Sequence, residues 1–466
     1  MARIIIVSNR VAVPSGDNGK RAGGLEVSIR SFLKQHEGIW LGWSGRVVPR
    51  GRAITRTIEN GGVSYIVTDL TRTDYEQYYN GFANGTLWPI LHYRLDLTNY
   101  SSRALNGYMR VNDQFAAQLD NVIRPDDVIW VHDYHLFPLA KALRERGHEN
   151  RIGFFLHVPF PPPDVLTALP KHERLILALC HYDLVGFQTD RDADNFARYL
   201  ADECNMPNRG RRVFMAGRRT VQVGTFPVGV ETGEYNHLAE RSMRSSFVRE
   251  VLASIADRSL IIGVDRLDYS KGIKLRMDAF ERFLEVNTPW RGAVTYLQIT
   301  PRSRSEIRDY AEMERRIGET VGRVNGTYGE AAWTPIRYLN RPYRRAALAG
   351  LFRASRAALV TPLRDGMNLV AKEYVAAQDP EDPGVLILSR FAGAALEFRA
   401  ALLVNPYDTE AVADAIAQGL AMPLGERRSR HRDLFKILAK HDIKHWGDRF
   451  VEALTQPSGK LAVVAA

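Results

Sequence analysis

The sequence predicts an α/β protein of two Rossmann-like domains, and three observations carry that prediction. Short apolar runs bounded by turn residues recur along the chain, several followed by segments of helical period, the pattern of βα units on a parallel sheet. The runs fall into two series separated by a charged helical stretch. A chain of 466 residues also exceeds what one hydrophobic core ordinarily serves.

In the first series, strands are expected at residues 3–8, 128–132, 152–157, 184–188 and 221–227. The opening Arg3-Ile-Ile-Ile-Val-Ser8 is too short for the core of a signal peptide and reads as a buried strand. Leu25, Ile29, Phe32 and Leu33 then share one helix face. Residues 229–257 are helical and charged and are the expected linker, with domains set at residues 1–240 and 241–440. The second series places strands at 260–265, 294–299, 358–361, 385–389 and 402–404, with Ile273, Met277, Phe280 and Leu284 on one helix face. In the tail, residues 441–466, an amphipathic stretch with Trp446, Phe450 and Leu454 suits packing on either domain. Two such domains facing each other across a cleft bring the carboxyl ends of both sheets to it, where ligands bind in open α/β sheets.

Composition narrows the function. With 45% hydrophobic and 25% charged residues the chain is of ordinary soluble type, and no window approaches the roughly 20 apolar residues of a membrane-spanning helix. Two cysteines, Cys180 and Cys204, suit a reducing compartment, so a cytoplasmic location is expected, and they exclude a disulfide framework or a cysteine-built metal site. The net charge of +10 is scattered without a nucleic-acid motif, so no nucleic-acid partner is expected; anionic small substrates account for it equally well. The densest basic cluster, Arg209, Arg211, Arg212, Arg218 and Arg219, flanks Gly210 and Gly217 and reads as a solvated loop or hairpin.

The polar residues at strand ends are the candidates for chemistry. After the first strand come Ser8-Asn-Arg10, a polar loop, and Gly23-Gly24 at a helix start. This is not a dinucleotide fingerprint, whose glycine turn follows its strand directly, but it would let backbone N–H groups approach a phosphate or sugar. The next strand ends in His132-Asp133-Tyr-His135, and His157 precedes a rigid proline-rich loop. Asp133 suits a substrate hydroxyl or proton transfer, while the histidines are too few for a zinc site and equally fit structural roles. Asp190, Asp192 and Asp194 resemble a metal-diphosphate motif, but behind Thr189 they read better as the acidic first turn of a capped helix. Arg266 and Lys271 follow a strand and open a helix, so they either converge on a diphosphate or pair with Asp265 and Asp268. In Thr361-Pro-Leu-Arg-Asp365-Gly-Met-Asn368, Asp365 either holds sugar hydroxyls or shares helix capping with Asn368, and Glu373 suits two ribose hydroxyls.

Taken with Gly42-Trp-Ser-Gly45, Leu87-Trp-Pro89, His92-Tyr-Arg-Leu-Asp96, Trp130-Val-His-Asp-Tyr-His135, Arg266-Leu-Asp-Tyr-Ser-Lys-Gly272, Thr361 through Glu373 and Val404-Asn-Pro-Tyr-Asp408, the sequence resembles the trehalose-6-phosphate synthase family over nearly its whole length. The resemblance implies the glycosyltransferase B fold and a tail returning to the first domain. It implies a retaining transfer of glucose from a nucleotide-glucose, expected to be UDP-glucose, to glucose 6-phosphate, giving α,α-trehalose 6-phosphate. Carried over position by position, Arg10, Tyr79, Trp88, Asp133 and Arg304 would surround the acceptor. Gly23 and Gly24 would lie near the donor diphosphate, and Arg266 and Lys271 would grip it. His157, Asp365 and the segment Leu369, Val370, Ala371, Lys372, Glu373 would hold the transferred glucose and the ribose, with Tyr343, where the family often has Phe, beside the base. No covalent nucleophile is evident, so front-face attack without a metal or other cofactor is expected, in a homo-oligomer, dimer or tetramer. Another phosphorylated acceptor and a noncatalytic sugar-phosphate sensor are the rival readings. The intact acceptor and donor sets argue against them.

Overall fold

A computed structural model of the chain describes residues 2–13, 24–33, 38–210, 212–302 and 308–456. It has two compact units. The first comprises described residues up to Pro227 together with those from Lys444 on, and the second is Val228–Ile443.

The first unit is built on a sheet of nine described strands: β1 (Ile4–Arg10), β2 (Gly38–Val48), β3 (Thr55–Asn60), β4 (Val63–Thr71), β5 (Val128–His132), β6 (Arg151–Phe155), β7 (Leu184–Phe187), β8 (Val213–Ala216) and β9 (Arg219–Thr225). Their order is β3-β4-β2-β1-β5-β6-β7-β9-β8. Every pairing is parallel except the two edge hairpins, β3 with β4 and β8 with β9. The central strands are apolar throughout, as strands covered on both faces must be: Ile5, Ile6, Val7, Ile129 and Val131 are wholly buried. The order reverses between β1 and β5, so the crevice beyond Arg10 and His132 is the place for a ligand. Of the basic cluster, Arg218 and Arg219 stand on the β8–β9 hairpin, which turns at Gly217, and Arg209 and Arg212 precede β8; Arg211 lies outside the described residues. Thr189 caps helix Asp190–Asp202, its Oγ1 accepting from the Asp192 N–H at 3.2 Å, while Asp190 and Asp194 pair with Arg212; the acids belong to a helix start.

The tail helix Ile443–Thr455 lies on this sheet. Phe450 stacks on Trp130 at 4.5 Å, and Trp446 packs 4.8 Å from the same ring. Gly153 on β6 and Gly186 on β7 make room for it: a Cβ at either would stand 2.7 Å from the Phe450 ring.

The second unit carries β10 (Ser259–Val264), β11 (Val294–Ile299), β12 (Ile336–Leu339), β13 (Ala357–Val360), β14 (Val385–Ser389) and β15 (Leu402–Val404), all parallel, in the order β12-β11-β10-β13-β14-β15. This is the doubly wound order with its switch between β10 and β13. Helix Ile273–Val286 buries Ile273, Met277, Phe280 and Leu284, as their spacing predicts. The stretch expected to link the domains is instead folded into this unit. Helices Thr232–Ser242 and Ser246–Ile255 bury Tyr235, Ala239 and Val248, and Asn236 Nδ2 donates to the Ala376 and Gln378 carbonyls. The boundary expected at residue 240 therefore falls inside a helix that belongs wholly to the second unit.

Candidate active site

Each unit gathers its sequence-predicted residues at the switch point of its own sheet. In the first, Arg10 closes β1 with an exposed side chain, its guanidinium 5.9 Å from the Trp43 ring. Gly45, at φ 84°, makes this approach possible, since a Cβ there would meet Arg10 Nε and Nη2 at 2.8 Å. The neighbouring wall is aromatic: Tyr79 stacks on Tyr75 at 5.4 Å and on His135 at 5.9 Å, and lies 5.4 Å from Trp43. Tyr75 and Tyr79 open the segment Tyr75–Leu87, which is wound as a π-helix; at its end the Trp88 N–H donates to the Ala83 carbonyl, five residues back. Such winding is rare and gathers at functional sites. Trp88 itself is buried against His92 at 4.0 Å and Tyr134 at 5.5 Å.

Asp133 follows β5 with φ 76° and ψ 163°, a conformation that costs a non-glycine residue about 1–3 kcal/mol. Two hydrogen bonds fix it there, its N–H to the Phe155 carbonyl at 2.9 Å and its Oδ1 from the His157 N–H at 3.3 Å. The strained turn sets a half-buried carboxylate beyond the strand end, beside His157. His132 Nδ1 and His157 Nε2 share a hydrogen bond of 3.1 Å. Burial pushes His157 down to about 3 and His132 well below the usual imidazole range, so both rings are neutral. Gly24 opens helix Gly24–Leu33; Gly23 and Arg304 lie outside the described residues.

In the second unit, Asp365 and Lys271 meet: Lys271 Nζ donates to Asp365 Oδ2 at 2.5 Å. Asn368 is the helix cap, its Oδ1 accepting from the Ala371 N–H at 3.1 Å while its Nδ2 donates to Asp365 at 3.0 Å. The Asp268 carboxylate accepts from the Ser270 N–H at 3.0 Å, and Asp265 pairs with Arg276, so neither takes Lys271. Arg266 is exposed beyond β10. The amino terminus of helix Leu369–Ala377 thus stands next to the Lys271–Asp365 pair, which Asn368 joins to the helix, the electrostatic setting of an anion site. Leu369, Val370 and Ala371 form its first turn; Lys372 turns its side chain to the Val228 carbonyl, donating at 2.9 Å, and pairs with Glu397.

Glu373, one turn on, is half-buried, and burial raises its carboxyl to about 7, opposed by Arg345 and reinforced by Glu231. Arg345 lies over the Tyr235 ring at 4.9 Å and donates to Glu231 at 2.7 Å. Tyr343 packs against Phe247 at 5.4 Å, with Arg341 Nε donating to its hydroxyl.

Sequence reasoning overlooked Arg276. Wholly buried, it donates to Asp265 Oδ2 (2.7 Å), Gln298 Oε1 (3.1 Å), Thr361 Oγ1 (2.9 Å) and the Lys271 carbonyl (3.1 Å), tying the ends of β10, β11 and β13 to the Lys271 turn. Contact with Asp265 keeps the guanidinium charged against the cost of burial, its pKa above the ordinary value. The signal was a single charge on the otherwise apolar face of Ile273, Met277 and Phe280.

The model of the family described as Glycosyltransferase family 20 matches residues 3–456. The trehalose-6-phosphate synthase of Sinorhizobium fredii (strain NBRC 101917 / NGR234) is 52% identical over 462 residues, spanning 99% of this chain and 100% of that protein. A crystal structure of an α,α-trehalose-phosphate synthase (UDP-forming) from Burkholderia xenovorans in complex with glucose-6-phosphate superposes with a TM-score of 0.95 at 49% identity, over 97% of this chain and 100% of that one. The E. coli structure bound with UDP-2-fluoro glucose gives 0.93 at 43% identity, over 98% and 99%. The doubly wound sheets are accordingly those of a glycosyltransferase B fold. Likeness that runs through both sheets, both switch points and the tail helix leaves one conclusion: the chain belongs to glycosyltransferase family 20.

Proposed function

We propose that the chain transfers glucose from UDP-glucose to the 1-hydroxyl of glucose 6-phosphate, with retention, releasing UDP and α,α-trehalose 6-phosphate. What supports this reading is that the switch point of one sheet carries a helix start beside Lys271 and that of the other sheet carries Arg10 and an aromatic wall, in a chain alike over 97–98% of its length to structures holding glucose-6-phosphate and UDP-2-fluoro glucose.

In this reading the acceptor phosphate pairs with Arg10 and Arg304, its ring lies along Tyr79 and Trp88, and Asp133 takes a hydroxyl. The donor diphosphate meets Arg266, Lys271, Gly23, Gly24 and the N–H groups of Leu369 and Val370. Asp365 and His157 hold the glucose hydroxyls, Glu373 accepts from the ribose, and the base lies by Tyr343. The acceptor oxygen attacks C1 on the face that the diphosphate leaves. The C1–O bond to UDP breaks as the new one forms, and a leaving-phosphate oxygen takes the acceptor proton. Charge developing on the diphosphate is met by Arg266 and Lys271 without a metal.

The test is product formation from glucose 6-phosphate with UDP-glucose and with GDP-glucose, in EDTA, the product identified by mass and anomeric NMR. An α,α-linked disaccharide phosphate from UDP-glucose is expected. Silence with both donors would turn the reading to another acceptor or to a sensor. A cytoplasmic location is proposed on the two free cysteines and on the lack, among the described residues, of a helix long and apolar enough to cross a membrane. A homo-oligomer is proposed on the exposed Ile58 of the edge strand β3 and the exposed Ile54 just before it.

A further inference from the structure

We propose that His132 fixes the tautomer of His157: His132 donates its Nδ1–H to His157 Nε2, so that His157 carries its proton on Nδ1 and offers only a donor to what binds beside it. The inference rests on the reading that His157 touches the transferred glucose.

The two rings are neutral and share one hydrogen bond of 3.1 Å, so one nitrogen gives and the other accepts. What lies behind His132 decides which. The ring is wholly buried, and its Nε2 has no hydrogen-bond partner among the described residues. Around it stand the rings of Trp130, at 4.6 Å, and Trp446, at 6.2 Å, and both indole Nε1 atoms are likewise buried without a partner. An indole nitrogen can only donate. If His132 carried its proton on Nε2, a third unmatched buried donor would be added to those of its two neighbouring indoles. With the proton on Nδ1, the buried Nε2 is an acceptor instead, and Nδ1 donates to His157. Orphaned N–H groups are rarer in protein interiors than under-satisfied acceptors, so this is the less costly arrangement.

A neutral His157 that accepts at Nε2 must be protonated at Nδ1. Because both rings are desolvated and coupled through one bond, neither tautomer can change alone. His132 is thus a positioning residue, and the tail helix takes part, since Trp446 packs 6.0 Å from His157 as well as against His132.

The tautomer is read directly from long-range ¹H–¹⁵N spectra of the full chain labelled at histidine, with the His157 signals assigned by their loss in His157→Ala. Wild type is expected to show His157 protonated on Nδ1 and accepting at Nε2; an Nε2–H signal for His157 overturns the proposal at once. His132→Asn places an amide N–H where Nδ1 stood, and should keep both the tautomer and the turnover. His132→Leu removes the donor. The Nε2–H form of His157 should then appear, and kcat should fall about tenfold with the acceptor KM unchanged. An unaltered tautomer in a folded His132→Leu chain overturns the proposal. Should no glucosyl transfer be found, the wild-type spectrum still decides the His132–His157 arrangement on its own.

Discussion

Lys271 Nζ lies 2.5 Å from Asp365 Oδ2, so the cation expected to receive a leaving diphosphate is already engaged by a carboxylate that the next strand end supplies. The pair is mostly buried, with side-chain exposures of 13% and 14%, and the ammonium must be shared or surrendered when an anion binds. Competition of this kind has a definite sign. Asp365→Asn removes the competing charge and should tighten UDP binding, while lowering kcat through loss of the proposed contact to the sugar. Lys271→Ala should lower kcat by about 10²–10³, the effect of removing one well-placed electrostatic donor. Calorimetric titration with UDP checks the first expectation; weaker UDP binding by Asp365→Asn would show that the carboxylate supports the anion site rather than competing for it.

Glu373 should make donor binding depend on pH near neutrality. Burial holds its carboxyl up at about 7, and ribose hydroxyls donate best to the ionised form. UDP affinity should therefore rise from about pH 6 to about pH 8 and then level off, a trend absent in Glu373→Gln. Stability runs the other way. A carboxyl whose folded pKa exceeds its unfolded value adds stability that is complete below the unfolded pKa and lost as pH rises through about 7. Glu373→Gln should thus melt higher than wild type near pH 8, with the gap closing toward about pH 4. An equal gap at both ends would assign the change to packing.

Much of this was legible before any coordinates. Buried parallel strands such as Ile4–Arg10 and Val385–Ser389 carry unbroken apolar runs, and a doubly wound order fixes which of their ends can hold a ligand, which is why Arg10, Asp133, Arg266 and Asp365 stood out. The region from β2 to β4 was not read, because Gly38–Val48 mixes Trp with Gly and β3 is an exposed edge whose Thr, Arg, Glu and Asn need no buried face. Its one clear signal was Asn60-Gly61-Gly62, where both glycines have positive φ in the tight turn between β3 and β4. The aromatic wall escaped for another reason. Trp43, Tyr75, Tyr79 and His135 come from three separate stretches of chain, and only the folded sheet and the π-wound segment bring them together.

Arg276 shows what a buried charge contributes when it cannot touch a ligand. Arg276→Met would leave Asp265 buried without its counter-charge, which typically costs about 3–5 kcal/mol. Asp265→Asn combined with Arg276→Met removes both charges and should recover part of that loss, since the two groups form one unit. Urea unfolding of the two variants measures the difference. Equal destabilisation in both would mean that the hydrogen bonds to Gln298, Thr361 and the Lys271 carbonyl matter more than the ion pair.

Gly45 tests the proposed acceptor side without replacing any charged group. Its φ of 84° strains any other residue, and a Cβ would stand 2.8 Å from the Arg10 guanidinium, at the face that Trp43 borders. Arg10, the flexible partner in that contact, must then swing away from the aromatic wall. If Arg10 binds the acceptor phosphate, Gly45→Ala should raise the KM for glucose 6-phosphate by about tenfold or more, the scale of one charge-assisted hydrogen bond, and leave the KM for UDP-glucose as it was. Arg10→Ala should raise the acceptor KM at least as far, and Gly45→Ala placed on that background should add little, since the side chain it displaces is gone. Steady-state kinetics with each substrate varied in turn gives all of these values. Full additivity of the two substitutions would show that Gly45 acts through the local backbone, and would remove Arg10 from the acceptor phosphate.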